Sequence, residues 1–402
     1  MNKFKFRGVG QGLFYTGSLM HGTYNFVFDC GSSSRELYLN KQIDEYVHEL
    51  SYNRKIKPNI DFMVVSHFHK DHINGIFTLL NECNVKKLYL PYLMGDDTFK
   101  KFVLAYISFY DFEGKNQKRN DEDNDGDNID KRYMLYKRLK SLYGIDEKQL
   151  DIDTQVVIAG MDDATPPIEF CVPNNQNKYW EFKIFHRHLD EKIIIELNFE
   201  IKSLMQRCGY TNFNDKEIIS FILDSKDKIN KLAKEYESIF GRKNKNRLQG
   251  GLNISSLVLV HYPLYHNSKA YYPRKIAQLL EFEYYFRDRY RYCRLDAFYE
   301  FNNKKITVLT GDAVLDDKFT QVMNFINDEE NMNNILLLQV PHHGSLDNWI
   351  HVKRLNLRAI VYILSFGLGN SFGHPNAKTI CDLEDKHYYC VTQEQSFEYI
   401  FD

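Results

Sequence analysis

The stretch "VVSHFHKDHING", residues 64–75, places three histidines and an aspartate within six positions directly after an apolar run. Burial of four such groups without partners would be strongly unfavourable, so a hydrophobic core does not explain them. The preceding segment "DFMVV" has a strand-like composition, which should bring His67 and His69 out on the same side at its end. Asp71 and His72 follow in the next turn. This order of imidazoles and carboxylate indicates a metal site.

Later segments of the chain offer further ligands at predicted strand ends. Asp312 follows the strand-like "ITVLT", His342 and His343 follow "ILLLQVP", and His374 lies in the loop "SFGHPN". Nitrogen and oxygen ligands of this kind suit Zn²⁺, and Mn²⁺ is the alternative. None of the seven cysteines is close in sequence to the first histidine cluster, although a structural zinc site usually uses cysteine. The sequence therefore favours an open, catalytic metal site.

Composition limits the class of protein. The chain has 402 residues, of which 43% are hydrophobic and 15% aromatic, so it can bury a substantial core. Its net charge of −2 gives no sign of a nucleic-acid or membrane partner from bulk charge. Seven scattered cysteines without a C-x-x-C pair are typical of reduced thiols. With no signal-peptide pattern and no apolar run near the ~20 residues of a membrane span, we predict a soluble cytoplasmic protein without a membrane segment.

The hydrophobic pattern predicts sheets covered by helices. Short apolar, β-branched segments recur along the chain and end in Gly, Pro, Asp or His: "YNFVFDCG", "DFMVVSH", "KKLYLP", "SSLVLVH", "KITVLTGD", "NILLLQVPHHG" and "RAIVYILSFG". Between them, amphipathic patterns predict helices over residues 35–50 and 215–241, the latter ending at a glycine. We predict one domain that spans residues 1–402.

Three segments are predicted to be insertions into this domain. Residues 100–135 are predicted as a charged loop, because 115–131 reads "KNQKRNDEDNDGDNIDK" and is almost free of apolar residues. Residues 175–245 are predicted as a helical insertion, and residues 262–300 as one rich in Tyr and Arg.

The insertion at 262–300 has two interpretations. An amphipathic helix with its aromatic face in the core is favoured. In the alternative, Arg287, Arg289 and Arg291 contact phosphates while neighbouring tyrosines stack on bases in a substrate groove. The flanking segments "SSLVLVH" and "KITVLTGD" both lead toward predicted ligands, so the base of the insertion is expected near the metal site.

Taken together, these motifs resemble the metallo-β-lactamase superfamily, and specifically the hydrolase domain of the DNA-uptake protein ComEC. The matching segments, in the order found in that family, are "VGQG" (9–12), "FVFDCGS" (26–32), "SHFHKDHING" (66–75), "NISSLVLVH" (253–261), "LTGD" (309–312), "VPHHGS" (340–345), "FGHPN" (372–376) and a final strand pair in "YYCVTQEQSFEYIF". The resemblance implies a four-layer αββα sandwich, in which two sheets pack face to face with helices outside. The membrane-spanning region of ComEC has no counterpart here.

The resemblance also implies a dinuclear site, most simply with two zinc ions. The ligands expected for these ions are His67, His69, Asp71, His72, Asp312 and His343. Asp312 would bridge the ions, and Asp71 would also orient a metal-bound hydroxide that acts as the nucleophile. His342 and His374 would serve the substrate or leaving group, although His374 and His343 could exchange roles.

Other residues are expected to support these ligands. Asp29 is predicted to orient a ligand imidazole by a hydrogen bond, and Ser345 to border the site. Related hydrolases carry a third histidine for the first ion, where this chain has Asn253. The first ion is therefore expected either to bind more weakly or to recruit His261 or a water.

The leading functional hypothesis is a metal-dependent phosphodiester hydrolase, most simply a nuclease that acts on nucleic acid. It depends on the spare histidines of "HHGS" and "GHP" and on the resemblance to ComEC. One alternative is a hydrolase of a small ester, lactone or thioester. The other is a regulatory or binding subunit of a multi-protein system that retains the metal site.

Overall fold

The computed structural model describes most of the chain. The described residues are 1–51, 56–93, 95–111, 125–145, 154–159, 165–172, 177–187, 191–225, 256–265, 269–271, 301–302, 305–316, 319–355 and 357–401. Asn253 and the arginines Arg287, Arg289 and Arg291 lie outside them, as does most of the predicted insertion at 262–300.

Both strands and helices are distributed along the described residues. The strands are β1 (Asn2–Phe6), β2 (Phe14–Leu19), β3 (Tyr24–Cys30), β4 (Asn59–Val64), β5 (Asn84–Pro91), β6 (Gln155–Ala159), β7 (Ile168–Cys171), β8 (Lys178–Phe185), β9 (Val258–Pro263), β10 (Lys269–Tyr271), β11 (Phe301–Asn302), β12 (Ile306–Leu309), β13 (Ile335–Gln339), β14 (Val361–Ser365), β15 (His387–Val391) and β16 (Phe397–Phe401). The α-helices are α1 (Glu36–Leu50), α2 (Lys70–Ile73), α3 (Ile76–Glu82), α4 (Asp97–Tyr106), α5 (Asp125–Leu142), α6 (Glu191–Arg207), α7 (Asp215–Asp224), α8 (Thr320–Asn327), α9 (Glu329–Asn333), α10 (Leu346–Arg354) and α11 (Ala377–Leu383). Among these helices, none is long and apolar enough to cross a membrane.

The strands form two mixed sheets. The first has the order β11-β10-β16-β1-β2-β3-β4-β5-β6, and the second has the order β15-β14-β13-β12-β9-β8-β7. Strands β3 to β6 of the first sheet are parallel, and so are β12 to β15 of the second. Because the carboxyl ends of parallel strands meet at one edge, polar residues that follow β4, β12, β13 and β14 can converge there.

Three hydrophobic clusters define four layers. Phe62 of β4 and Phe182 of β8 belong to a cluster that contains side chains from both sheets, with ring centroids 4.9 Å apart. A second cluster joins the first sheet to its helices, where Leu39, Ile43 and Tyr46 of α1 are buried at helical spacing. A third joins the second sheet to α8, α10 and α11. The fold is therefore the predicted αββα sandwich.

Several local predictions need correction. The charged-loop prediction for 115–131 is wrong from Asp125 onward, because α5 begins there. Its later turns bury Leu135, Tyr136 and Leu139, whose spacing places them on one face toward the core. The predicted helical insertion at 175–245 contains β8, in which every second residue is buried in the second sheet.

Two further boundaries differ from the sequence prediction. The helix predicted over 215–241 is described as α7 only to Asp224, and residues 226–241 lie outside the described part. The final strands β15 and β16 are both present, but they do not pair with each other. β15 pairs with β14 in the second sheet, and β16 pairs with β1 in the first. Alternating burial encodes a strand without encoding its partner.

The predicted position of the insertion at 262–300 is also wrong. β9 runs antiparallel to β12, with Leu259 opposite Leu309 and His261 opposite Thr307. The amino end of β9 therefore lies beside the residues after β4, where Leu257 N donates to Ser66 O at 2.8 Å. Its carboxyl end, and the start of β12, lie at the opposite end of the sheet. The strands that flank the insertion therefore meet it at the end of the sheet away from the predicted ligands. The reason for expecting a groove wall at the metal site no longer holds.

Candidate metal centre

Asp312 follows β12 and lies at the centre of a buried cluster of histidines, with 1% of the residue exposed. Its Oδ2 lies 3.5 Å from His67 Nε2, 3.9 Å from His69 Nδ1 and 3.5 Å from His342 Nε2. His67 Nε2 and His69 Nδ1 are themselves 3.0 Å apart. One carboxylate oxygen thus faces three imidazole nitrogens.

The other oxygen of Asp312 faces a second set of groups. Its Oδ1 lies 3.2 Å from His72 Nε2 and 3.9 Å from His343 Nε2. His343 Nε2 is also 2.9 Å from Asp71 Oδ2. A carboxylate placed between two sets of ligands is the arrangement that a bridging ligand of two ions requires.

These residues fit divalent cations. The ligand atoms of His67, His72 and Asp312 all lie within 4.8 Å of one another, and so do those of Asp71, His72 and His343. His72 Nε2 and Asp312 Oδ1 are buried and have no hydrogen-bond partner among the described residues. Because buried polar atoms are normally paired, two such lone pairs 3.2 Å apart are explained by a cation that both would bind.

Asp29, at the end of β3, supports the cluster from behind. It is fully buried, and its Oδ2 accepts hydrogen bonds from His72 Nδ1 at 2.7 Å and from Ser66 Oγ at 2.6 Å. Its Oδ1 accepts one from Ser66 N at 2.6 Å. Because Nδ1 of His72 carries the donated proton, the lone pair of Nε2 is directed toward Asp312. The predicted orienting contact of Asp29 is present in the structure.

Ser66 is a further residue of the candidate site that the sequence did not reveal. Its Oγ donates to Asp29 and therefore accepts from His67 Nδ1, 2.9 Å away. A single carboxylate thus orients two imidazoles, His72 directly and His67 through a hydroxyl. The signal in the sequence was a small hydroxyl residue directly before the first histidine, but nothing there identified its distant acceptor.

The "VGQG" turn and β14 fix the other side of the site. His343 Nδ1 donates to Ser365 O at 2.6 Å, and Ser365 Oγ donates to Gly12 O at 2.7 Å. Leu13 N in turn donates to Asp71 O at 3.1 Å. Residues 12–13 at the end of this turn therefore connect the segments that carry the predicted ligands Asp71 and His343.

Close packing beside His72 also requires glycine. A Cβ at Gly31 would lie 2.4 Å from His72 N, and one at Gly12 would lie 2.7 Å from Asp71 O. Real Cβ atoms do not approach backbone atoms this closely. Both glycines therefore allow the β2 and β3 ends to pack against the turn that holds Asp71 and His72.

The backbone at two ligand segments is strained. Asp29 has a φ of 55°, and His342 and His343 have φ values of 49° and 53°. Non-glycine residues adopt this left-handed region rarely, and such conformations cost on the order of 1–3 kcal/mol each. Strain of this kind concentrates where side chains must be held in a required direction, as at Asp29 and the paired histidines.

His374 lies at the rim of the cluster. Its ring centroid is 5.2 Å from that of His342, and its Nδ1 is buried without a hydrogen-bond partner among the described residues. Asn370 holds the loop, because its Nδ2 donates to Gly367 O and to His374 O at 2.8 and 2.5 Å. The structure thus brings His374 beside the metal centre without placing it between the carboxylates.

Burial and neighbouring charges shift the pKa values of the predicted ligands. Burial lowers the pKa of His67 to about 3, so its imidazole is neutral at physiological pH. Burial favours the neutral form of Asp312, but the neighbouring imidazoles, with His342 the largest contributor, hold its pKa well below its ordinary value. Burial also opposes charge on His72, yet the carboxylates of Asp312 and Asp29 raise the pKa of His72 well above its ordinary value. Asp312 is therefore ionised, and the two carboxylates favour positive charge at the position of His72, which a cation bound there would supply.

His261 is excluded as the substitute ligand considered above. It is fully buried between the sheets, where its Nε2 is 2.8 Å from Tyr15 Oη and its Nδ1 accepts from Trp180 Nε1 at 3.2 Å. Burial lowers its pKa to about 3. Both nitrogens are occupied in the core because β9 is antiparallel to β12, which carries His261 away from the ligands.

Ser345 borders the site through its backbone. Its N donates to His342 O at 2.8 Å, and its O accepts from Trp349 N at 2.9 Å as α10 begins. It therefore closes the short turn over His342–Gly344.

Comparison with known families agrees with this architecture. The sequence model of the Metallo-beta-lactamase superfamily matches residues 13–131, a segment that contains the first four predicted ligands and ends before Asp312. The chain thus carries a metallo-β-lactamase superfamily domain, and its two sheets with outer helices form the αββα sandwich of that fold. The domain and the His/Asp cluster together indicate a metal-dependent hydrolase. No curated protein matches the chain.

Proposed function

We propose that this protein hydrolyses phosphodiesters and that its substrates are nucleic acids. The observation that supports this proposal is the position of Asp312, each of whose carboxylate oxygens faces its own set of ligand nitrogens. Asp312 together with His67 and His69 on one side, and with His72 and His343 on the other, would hold two divalent ions, and a dinuclear site of this kind suits hydrolysis of a phosphodiester. When bound, such ions supply Lewis acidity and lower the pKa of water.

Asp71 and His374 are assigned to the attacking water and to the substrate. Asp71 is the most exposed of the predicted carboxylate ligands, with 16% of its side chain accessible. It can therefore accept a hydrogen bond from an attacking water and so orient it. Burial lowers the pKa of His374 to about 4, so its ring is neutral and carries one N–H. That N–H can donate to a phosphoryl oxygen at the rim of the site.

Phe372 supports a substrate that contains bases. It lies two residues before His374, with 41% of the residue exposed. Asn370 Oδ1 accepts from Phe372 N at 3.1 Å, so the backbone that carries the ring is held in place. An exposed aromatic ring on a fixed loop, two residues from His374 in the chain, suits stacking against a nucleobase.

The experiment uses metal-reconstituted protein and a panel of substrates. Zn²⁺- and Mn²⁺-loaded protein is incubated with single- and double-stranded DNA, RNA, bis(p-nitrophenyl) phosphate and p-nitrophenyl acetate. We expect cleavage of the oligonucleotides and of the phosphodiester, abolished by chelation. Turnover of the acetate alone would favour the small-ester hydrolase. Inactivity toward every substrate would favour the binding or regulatory subunit.

A further inference from the structure

Asn348, in the first turns of α10, contacts both the carboxylate segment and a histidine of the metal centre. Its Nδ2 lies 2.9 Å from Asp312 O and 3.2 Å from Ala313 O, and its Oδ1 lies 3.1 Å from His342 Nδ1. The residue is 4% exposed. The side chain thus spans the ends of β12 and β13 from the helical layer.

These contacts determine which nitrogen of His342 carries the proton. Backbone carbonyls only accept hydrogen bonds, so the amide nitrogen of Asn348 must face Asp312 O and Ala313 O. Its Oδ1 must then face His342, and Nδ1 of that ring must donate. In the neutral ring the lone pair is consequently on Nε2, which lies 3.5 Å from Asp312 Oδ2.

We propose that His342 is the third imidazole ligand of the ion on the Oδ2 side of Asp312, and that Asn348 is its positioning residue. His67 and His69 supply the other two nitrogens near Oδ2. His342 then takes the place of the third histidine for which this chain has Asn253. Asp71, His72 and His343 remain for the second ion, so each side has three protein ligands and shares the carboxylate.

This assignment changes the role that the sequence predicted for His342. His342 and His374 were both expected to serve the substrate, and their rings are neighbours. The tautomer set by Asn348 separates them, because a lone pair aimed at Asp312 Oδ2 suits a ligand and cannot donate a proton to a leaving group. His374 alone remains for the substrate. This inference rests on the metal centre and does not require that the substrate be a nucleic acid.

The first test compares metal binding by two neighbouring histidine variants. Metal-free His342→Ala and His374→Ala proteins are titrated with Zn²⁺ against a competing chelator, and bound metal is counted by elemental analysis. We expect two ions per chain in wild type and in His374→Ala, and one tightly bound ion in His342→Ala. Two ions bound with wild-type affinity in His342→Ala would overturn the assignment of His342.

The second test addresses Asn348 with a matched control. Asn25 is also buried, and its Nδ2 donates to two backbone carbonyls, Gly22 O and Asn59 O, without an imidazole partner. Loss of a group that orients a metal-bound histidine typically weakens metal affinity by about 10- to 100-fold. We expect this loss for one ion in Asn348→Ala and for neither ion in Asn25→Ala. Equal affinities in both variants would show that Asn348 only supports the fold.

A third measurement decides the same point if Asn348→Ala does not fold. The ¹⁵N chemical shifts of the wild-type imidazoles report which nitrogen is protonated, and His342→Ala identifies the signals of His342. The proposal requires the Nδ1–H form in the metal-loaded protein. An Nε2–H form would overturn it.

Discussion

Substitution of Asp29 by Asn tests how the metal ligands are oriented. The carboxylate accepts three hydrogen bonds, two from Ser66 and one from His72. An amide has one accepting atom and one donating atom, so it cannot reproduce this pattern. If its nitrogen faces His72, Nδ1 must accept, and the proton moves to Nε2, where it points at Asp312. The backbone is not the obstacle, because Asn tolerates the left-handed φ of 55° at this position.

The expected magnitude follows from the lost contacts. Removal of a group that orients a ligand imidazole lowers metal affinity by about 10- to 100-fold, which corresponds to about 1.4–2.7 kcal/mol. Hydrogen bonds to a charged group contribute about 1.5–3 kcal/mol, so the folded state should lose a similar amount before metal is added. Because His67 is oriented through Ser66, the variant should weaken both sides of the centre.

The assay is a Zn²⁺ titration of metal-free Asp29→Asn against a competing chelator, with near-ultraviolet circular dichroism to verify folding. Asp61→Asn is the control, because Asp61 is a nearly buried carboxylate near the opposite end of β4. It accepts from Asn25 N at 2.8 Å and from Lys86 Nζ at 2.6 Å. We expect weakened metal binding only in Asp29→Asn. Wild-type affinity in a folded Asp29→Asn protein would refute the orienting role.

Three further predictions concern the core, the substrate and the metal. Burial lowers the pKa of His261 from 6.5 to about 3, so the unfolded state takes up a proton first and stability falls as pH drops below about 6.5. Between pH 7 and pH 5, the free energy of unfolding measured in urea should fall by about 2 kcal/mol more in wild type than in His261→Asn. Equal losses in the two proteins would contradict this. Phe372→Ala should raise KM by roughly 5- to 150-fold for an oligonucleotide with bases but not for an abasic one, and equal effects would exclude stacking. Chelation should lower the thermal unfolding midpoint of wild type, because an ion at 100 times its Kd stabilises the folded state by about 2.7 kcal/mol. The same drop on chelation of Asp312→Asn would show that the metal binds elsewhere.

The sequence was sufficient to identify the residues that the structure brings together around Asp312, because these candidate ligands directly follow strands. The "HFHKDH" cluster, Asp312 and the paired histidines each come after an apolar run, and parallel strands bring such ends to one edge. The alternation of apolar runs with amphipathic helices predicted only sheets covered by helices, and the four-layer sandwich came from the family resemblance. The inferences about the ligands and the covered sheets depend on local patterns, which a single sequence carries.

What could not be predicted depended on contacts between distant residues. The apolar pattern of β9 is the same in either direction, so nothing local showed that it runs antiparallel to β12 and carries His261 into the core. Ser66 and Asn348 are ordinary polar residues in sequence, and their partners lie far away along the chain or on another element. The strand β8 did carry a signal, because Trp180, Phe182 and Ile184 alternate, but a helical interpretation of the wider segment concealed it.

The cluster around Asp312 is proposed to hydrolyse phosphodiesters with bound metal. The most direct measurement is the rate of p-nitrophenolate release from bis(p-nitrophenyl) phosphate by metal-loaded wild type and by Asp312→Asn, with folding of both verified by circular dichroism. Because Asp312 lies between both ligand sets, we predict metal-dependent turnover in wild type and none above background in the variant. Turnover of the phosphodiester by Asp312→Asn at the wild-type rate would show that the reaction does not depend on this cluster.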